Sequence, residues 1–172
     1  MESRVRIALF GGSFNPIHAG HVGIAEKAIS DWSLDRVLFI PAKVNPFKAG
    51  QNPADLAGGF TEAERWDFVV RVCRTNPKFE AWDIDLKRPD GPSYAIDTVR
   101  AASLRFPGAA FYWIIGEDNV EGLPRWKDWE TLKTLVQFIA YPRTRESSTE
   151  IRARRARGEA FAEFLPSCLV DD

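Results

Sequence analysis

The chain has 172 residues, of which 45% are hydrophobic and 27% are charged, and its formal net charge is -1. That length suits one compact domain with its own core and is short for two domains joined by a linker. A balanced charge argues against broad attraction to nucleic acid or to a membrane, and no apolar run approaches the length of a membrane span. We therefore expect a single domain over residues 1–172, with no nucleic-acid or membrane partner.

The amino terminus and the two cysteines bear on location and redox chemistry. Residues 1–10 lack the basic head, apolar middle and small-residue cleavage site of a secretory signal. Cys73 and Cys168 are far apart and lack metal-type spacing, which favours two reduced thiols over a bridge or a pair of ligands. We expect a cytoplasmic protein.

Strands and helices are predicted to alternate along the chain. The predicted strands cover residues 4–10, 36–40, 79–86, 109–115 and 136–141, and the predicted helices cover about 16–30, 61–74, 94–104, 126–135 and 147–158. This order indicates an α/β fold, a Rossmann-like doubly wound and mostly parallel sheet with helices on both faces. Ligands of such folds bind beyond the carboxyl ends of the strands.

Three local signals refine these boundaries. Asn15 is the predicted N-cap of the first helix, with Pro16 in its first turn. Residues 42–59 are rich in Asn, Pro, Gly and Lys, which predicts a long loop on the substrate side. Thr61 and Glu64 have the spacing of a capping box that opens a helix.

The strongest functional signal is the segment 11–21, where the first strand turns into the first helix. Gly11 and Gly12 allow a ligand to approach the backbone closely, and a helix start offers free N–H groups with a partial positive charge. His18 and His21 are three residues apart, so both side chains can face one anion. The segment therefore favours binding of a polyphosphate.

Other interpretations of this segment are weaker. It matches neither the G-x-G-x-x-G fingerprint nor the Gly-Lys-Ser/Thr of a P-loop, so hydride transfer and P-loop hydrolysis lose their main support. A zinc site is disfavoured, because no acidic or cysteine partner lies at a familiar spacing beside the two histidines, and we predict no metal ligands. A tight turn with surface histidines remains the simplest alternative.

The same residues carry a family resemblance. His18-Ala19-Gly20-His21 resembles the H-x-G-H signature of the nucleotidyltransferase superfamily. Further motifs follow in the order seen in bacterial nicotinate-nucleotide adenylyltransferases, and the last of them matches the second signature, S-x-T-x-x-R. These motifs are Asn45-Pro46-Phe47-Lys48, Asp83-Ile84-Asp85-Leu86, Pro92-Ser93-Tyr94-Ala95-Ile96-Asp97-Thr98, Ile114-Ile115-Gly116-Glu117-Asp118, Trp126-Lys127-Asp128-Trp129 and Ser147-Ser148-Thr149-Glu150-Ile151-Arg152.

The resemblance implies adenylyl transfer from ATP to nicotinate mononucleotide, giving deamido-NAD and pyrophosphate in NAD biosynthesis. The attacking phosphate is already an anion near neutral pH, so no general base is required. Catalysis then rests on holding two anions in line and neutralising the charge that develops on the oxygens. The implied cofactor is Mg²⁺ bound with ATP, the implied partners are ATP and a mononucleotide, and a homo-oligomer is left open.

The resemblance also implies which residues form the site. The implied catalytic residues are His18, His21 and Arg152. The implied ATP-binding residues are Gly11, Gly12, Ser13, Phe14, Gly20, Gly116, Asp118, Ser147 and Thr149. The implied acceptor-binding residues are Lys48, Ser93, Tyr94, Ala95, Trp126 and Lys127, with Trp126 stacking on the pyridine ring and the Lys127 main chain facing the nicotinate carboxylate.

Several features depart from the family pattern. Phe47 stands where the family commonly has histidine, and Ala95 stands where it commonly has threonine. Residues 143–146 replace a longer segment with another strand, and the chain stops soon after Leu165 and Pro166, without the usual last helix. Short forms of the segment also occur in phosphopantetheine adenylyltransferases. Nicotinamide mononucleotide, phosphopantetheine and a non-catalytic nucleotide sensor therefore remain as alternatives.

Overall fold

The structure is a computed structural model that describes residues 3–43, 52–88 and 92–170. The strands are β1 (Arg6–Gly12), β2 (Arg36–Pro41), β3 (Phe79–Ala81), β4 (Ala110–Gly116) and β5 (Gln137–Tyr141). The helices are α1 (Ala19–Trp32), α2 (Glu62–Cys73), α3 (Ala95–Arg105), α4 (Trp129–Leu135) and α5 (Ser148–Ala156). Short 3₁₀ segments lie at Pro53–Asp55, Glu117–Arg125, Ala162–Phe164 and Ser167–Leu169.

The five strands form one sheet in the order β3-β2-β1-β4-β5, and every recorded pairing in it is parallel. In chain order, β2 and β3 lie on one side of β1, and β4 and β5 lie on the other side. The strand order therefore reverses between β1 and β4, which is the switch point where ligands of such sheets bind. The predicted Rossmann-like α/β fold is confirmed.

Side chains alternate between the two faces of β1, as the twofold period of a strand requires. Ala8 and Phe10 belong to an apolar cluster shared with α1 and α2, and Ile7 and Leu9 belong to a second cluster shared with α3 and α4. The sheet is thus covered on both faces. Among the described residues, no helix is long and apolar enough to span a bilayer.

The predicted strand over 79–86 is too long, because only Phe79–Ala81 pairs with the sheet. The side chain of Asp85 is buried instead of alternating outward. It accepts a hydrogen bond from Thr98 at 2.9 Å and forms an ion pair with Arg88 at 3.0 Å. These contacts hold the chain in a turn against the start of α3.

The predicted helix over 126–135 starts too early. Glu117–Arg125 forms a 3₁₀ segment that contains Pro124, which has no N–H to donate to an α-helix. α4 begins only at Trp129, after Asp128 in the left-handed region with φ 53°. Trp126 caps the 3₁₀ segment and Trp129 begins α4, so the two tryptophans do not share one helix.

Candidate active site

A pair of histidines forms the start of α1. The Nδ1 atom of His18 accepts hydrogen bonds from the backbone N–H of Gly20 at 3.1 Å and of His21 at 3.4 Å. The Nδ1 atom of His21 accepts in return from the backbone N–H of His18 at 3.0 Å. His18 is therefore the N-cap, and the prediction that Asn15 caps this helix is wrong.

This reciprocal cap assigns the tautomer of both imidazoles. Because each Nδ1 accepts a hydrogen bond, the ring proton of each neutral imidazole lies on Nε2. Burial lowers the pKa of His18 from 6.5 to about 4, against an opposing effect of Glu146. Burial, with the charge of His18, also holds the pKa of His21 well below 6.5. Two neutral Nε2–H donors result, on rings that stack with centroids 3.7 Å apart.

The loop before α1 is held by α5, the helix of the second signature. Arg152 donates from Nη1 to the carbonyl of Asn15 at 2.8 Å, and Ser148 donates from Oγ to the carbonyl of Pro16 at 2.9 Å. Burial lowers the pKa of Arg152 below its usual value. Both signatures of the sequence therefore meet in one place.

Asn15 has a different role from the predicted cap. Its buried side chain donates to the carbonyl of Pro53 at 3.0 Å and accepts from the N–H of Phe60 at 2.8 Å. The described part of the predicted long loop, 52–59, is thereby fixed to the segment before α1.

The start of α5 follows the predicted pattern. Ser147 is the N-cap, and its Oγ accepts from the N–H of Glu150 at 3.3 Å. The Thr149 hydroxyl accepts from Arg152 at 3.3 Å. The short segment before this helix brings Thr144 so close to α1 that a Cβ on Gly20 would overlap its side chain. Contact with Thr144 thus favours glycine at position 20 of this chain.

The carboxyl end of β4 presents the second predicted nucleotide position. Asp118 pairs through Oδ2 with Arg143, at 2.8 Å from Nε and 2.7 Å from Nη2. A Cβ on Gly116 would lie 2.6 Å from Oδ1 of Asp118, so a larger residue there would displace this carboxylate from its present position. The ion pair is exposed and contributes little stability by itself. The sequence did not single out Arg143.

Other predicted ATP-binding residues are placed around β1. Gly11 is required by packing, since a Cβ there would lie 2.9 Å from Cζ2 of Trp113. The nearest atoms to a Cβ on Gly12 belong to Phe14 at 3.7 Å, an ordinary contact. The Phe14 ring is buried and packs edge-on against His21, with centroids 5.0 Å apart.

The predicted acceptor residues lie at the start of α3 and before α4. Tyr94 is the N-cap position of α3, and the Lys127 ammonium lies 4.6 Å above its ring. Ser93 is buried, and its hydroxyl makes no hydrogen bond within the described ranges. Ala95 is the first residue of α3. Trp126 is half-buried and packs edge-on against Trp113 and Phe138, while Lys48 and Phe47 lie outside the described residues.

The fold and the paired histidine cap indicate a nucleotidyltransferase, and comparison with known families agrees. A cytidylyltransferase-like family model matches residues 9–157, so the chain belongs to the cytidylyltransferase-like nucleotidyltransferases. Relatives of the chain include proteins named "Probable nicotinate-nucleotide adenylyltransferase". The one from Methylacidiphilum infernorum is 39% identical and covers 95% of this chain, which spans 87% of that protein.

Two further relatives carry the same name. The protein from Shouchella clausii is 39% identical, with 93% of this chain and 89% of that protein aligned. The protein from Synechococcus sp. strain JA-3-3Ab is 39% identical over 80% of this chain, and the chain spans only 63% of it.

Solved structures share the fold. A candidate nicotinate-nucleotide adenylyltransferase from Vibrio parahaemolyticus aligns with a TM-score of 0.73 at 19% identity, over 98% of this chain and 99% of that one. Nicotinic acid mononucleotide adenylyltransferase from Plasmodium falciparum, complexed with NaAD, aligns with a TM-score of 0.70 at 13% identity, over 98% and 94%. These likenesses concern the architecture.

Proposed function

We propose that residues 1–172 act as one nucleotidyltransferase domain that transfers the AMP part of ATP to the phosphate of nicotinate mononucleotide, forming deamido-NAD and pyrophosphate. The observation that carries this proposal is the reciprocal cap of His18 and His21 at the carboxyl end of β1. It directs two Nε2–H donors and a helix amino terminus from one point, which suits a polyphosphate. The names of the relatives supply the acceptor.

On the ATP side, we assign His18 and His21 to the phosphates. An oxygen of the acceptor phosphate attacks the α-phosphorus, the bond from that phosphorus to the bridging oxygen breaks, and pyrophosphate leaves. Neutral donors suit this step because they stabilise negative charge as it develops without holding the product by a full ion pair. Arg152 with Thr149 lies beside them and would face the outer phosphates.

The remaining ATP contacts are assigned to the switch point. Asp118 lies at the carboxyl end of β4, where a carboxylate can accept hydrogen bonds from ribose hydroxyl groups. Its present partner is Arg143 at 2.7 Å. A ribose at this position would share the carboxylate with that guanidinium or displace it.

On the acceptor side, we assign the pyridine ring to Trp126 and the carboxylate to the neighbourhood of Lys127. The indole is half-buried among aromatic neighbours, so its orientation is fixed before a ligand arrives. The Lys127 ammonium above the Tyr94 ring adds positive charge near the start of α3. This environment favours an acidic ring substituent over an amide.

We propose that ATP binds as its magnesium complex. Within the described ranges, no group of three or more His, Cys, Asp or Glu side chains could hold a metal ion. Phosphate oxygens and water are the ligands that Mg²⁺ prefers in such sites. The ion would therefore arrive with the nucleotide, held by its phosphates.

The test is pyrophosphate release with Mg-ATP and, in turn, nicotinate mononucleotide, nicotinamide mononucleotide and phosphopantetheine, with each product identified by mass. We expect the greatest kcat/KM with nicotinate mononucleotide and a product of the mass of deamido-NAD. Turnover only with another acceptor would reassign the substrate. ATP binding without turnover of any acceptor would instead support a nucleotide sensor and overturn the proposal.

A further inference from the structure

Arg65 is a buried cation on the inner face of α2. It is 1% exposed and lies four and seven residues before Val69 and Val72, which are both fully buried. Apolar side chains normally occupy this stripe of a helix, because burying a guanidinium costs several kcal/mol unless its donors are satisfied. Burial accordingly lowers the pKa of Arg65 below its usual value, against an opposing effect of Glu62.

The guanidinium contacts backbone instead of a carboxylate. Both hydrogen bonds that it makes within the described residues leave from Nη1, to the carbonyl of Ser13 at 2.6 Å and to the carbonyl of Ala42 at 2.9 Å. Its Nε is buried and makes no hydrogen bond in the same part of the chain. The contacts of Arg65 therefore do not fully offset the cost of burying it.

The two carbonyls mark where neighbouring strands end. Ser13 comes directly after β1 and Ala42 directly after β2, and the N–H of Ala42 donates to the carbonyl of Gly12 at 2.8 Å. Arg65 therefore bridges the residues that directly follow the two paired strands.

The bond from Arg65 to the Ser13 carbonyl also orients the next residues of the loop. A trans peptide is planar, so the N–H of Phe14 points away from the carbonyl that Arg65 holds. The Phe14 ring packs against His21, with centroids 5.0 Å apart. Next along the loop, Arg152 holds the carbonyl of Asn15. The loop is thus clamped from α2 at one end and from α5 at the other.

We propose that Arg65 is a positioning residue for the reaction, which holds the loop 13–16 and, through Phe14, the imidazole of His21 in their working geometry. This inference rests on the proposed adenylyl transfer. It assigns Arg65 no contact with substrate, so its loss should lower kcat more than it raises KM for ATP.

The test compares Arg65→Met with Arg71→Met, a matched control on the same helix. Arg71 donates from Nη2 to the carbonyl of Cys168 at 2.7 Å, near the carboxyl end of the described chain. We expect Arg65→Met to lower kcat by about 10-fold to 100-fold, the range for misplacing a site by less than about 1 Å. Arg71→Met should stay within about 2-fold of wild type when both are assayed folded. Arg65→Lys, which keeps the positive charge and one donor nitrogen, should recover part of the loss.

A double-mutant cycle separates positioning from general destabilisation. If Arg65 acts through His21, Arg65→Met should lower kcat by less than about 2-fold in a His21→Ala background. Equal losses in both backgrounds, or unchanged kcat with only a lowered melting temperature, would overturn the inference. If Arg65→Met does not fold, Arg65→Lys carries the same cycle. The wild type is assayed alongside, so an inactive wild type would count against the proposed function and not against Arg65.

Discussion

Histidines seldom cap helices, yet His18 and His21 cap each other's backbone at the start of α1. The cap uses both Nδ1 atoms and leaves both Nε2–H groups for a ligand. Burial keeps the rings neutral. Protonation would also require each Nδ1 to donate where it now accepts a hydrogen bond. A single arrangement therefore sets the orientation, the tautomer and the charge of the two side chains.

Replacing His21 should test the importance of its donor. His21→Ala removes one preorganised donor to the developing charge, and we expect kcat to fall by about 100-fold to 1,000-fold. Steady-state pyrophosphate release measures this change. Thermal stabilisation by ATP serves as the control, and it should persist, since the other phosphate contacts remain. A variant with unchanged kcat would show that His21 only caps the helix.

The same burial predicts how stability depends on pH. The pKa of His18 is about 4 in the folded state and near 6.5 in the unfolded chain, so between these values the unfolded state binds more protons. Stability present at pH 7 is therefore lost as the pH falls from 6.5, and the loss levels off near pH 4. For His18 it amounts to about 3 kcal/mol.

Urea midpoints at pH 7 and pH 5 measure this loss. The raised pKa of Asp85, caused by its burial, acts in the opposite sense over acidic pH. The double variant His18→Asn/His21→Gln removes both imidazoles. The difference between its loss of stability and that of the wild type is the contribution of the two histidines. If it loses stability on acidification as steeply as the wild type, the histidines do not account for the effect.

At the scale of elements, α5 is docked by its own backbone as well as by its arginines. Gly58 has φ +71°, and a Cβ there would overlap the carbonyl of Arg152. Arg155 donates to the carbonyl of Gly59 at 2.9 Å, and its guanidinium lies 3.9 Å from the centre of the Phe60 ring. The position of α5, which carries the second signature, therefore depends on close packing against the segment 58–60.

Gly58→Ala should displace α5. We expect a loss of stability beyond the cost of about 1 kcal/mol for alanine in the left-handed region, together with weaker ATP binding. Gly158→Ala is the matched control, because Gly158 has φ +74° at the end of the same helix and an open side where a Cβ would lie. Urea denaturation and ATP titration measure the two effects. Equal behaviour of the two variants would refute the docking argument.

At the scale of the whole molecule, the last described residues complete one apolar cluster. Leu169 is 9% exposed and belongs to the core between the sheet and α2, while the adjacent Val170 is 43% exposed. This cluster also contains residues of β1 and α1. The end of the described chain therefore stabilises the face of the sheet that supports the site.

Leu169→Ala should destabilise the protein by about 2–3 kcal/mol, because it removes a buried side chain and leaves a cavity. Val170→Ala should cost less than about 0.5 kcal/mol, since it removes exposed surface only. Chemical denaturation with both variants measures the difference. Similar midpoints would mean that the segment packs only loosely on the core.

Much of this architecture could be predicted because its signals are local. The apolar run of β1, the capping box of Thr61 and Glu64, and the order of the elements could all be predicted from neighbouring residues. The cap of α1 could not be predicted, since histidine is an uncommon cap and Asn15 offered a better one. Asn15 is occupied instead by Phe60, a contact between distant segments that no local pattern reveals.

Arg65 was missed for a related reason. Its spacing to Val69 and Val72 places it on the buried face of α2, which was a usable signal. Its partners are carbonyls of residues 13 and 42, and backbone contacts across the fold leave no trace in residue type. The sequence predicted that segment 11–21 binds a polyphosphate, but it did not predict that Arg65 holds this segment from α2.

Amide hydrogen exchange can monitor the geometry of the histidine cap. The backbone N–H groups of His18 and Gly20 donate to imidazole nitrogen, and that of His21 donates to both imidazole nitrogen and the carbonyl of His18. These amides exchange with solvent only when those bonds open. Opening of that first turn would release the rings at the same moment. Deuterium uptake at these three amides therefore reports the fraction of molecules whose donors are out of place, before any nucleotide is added.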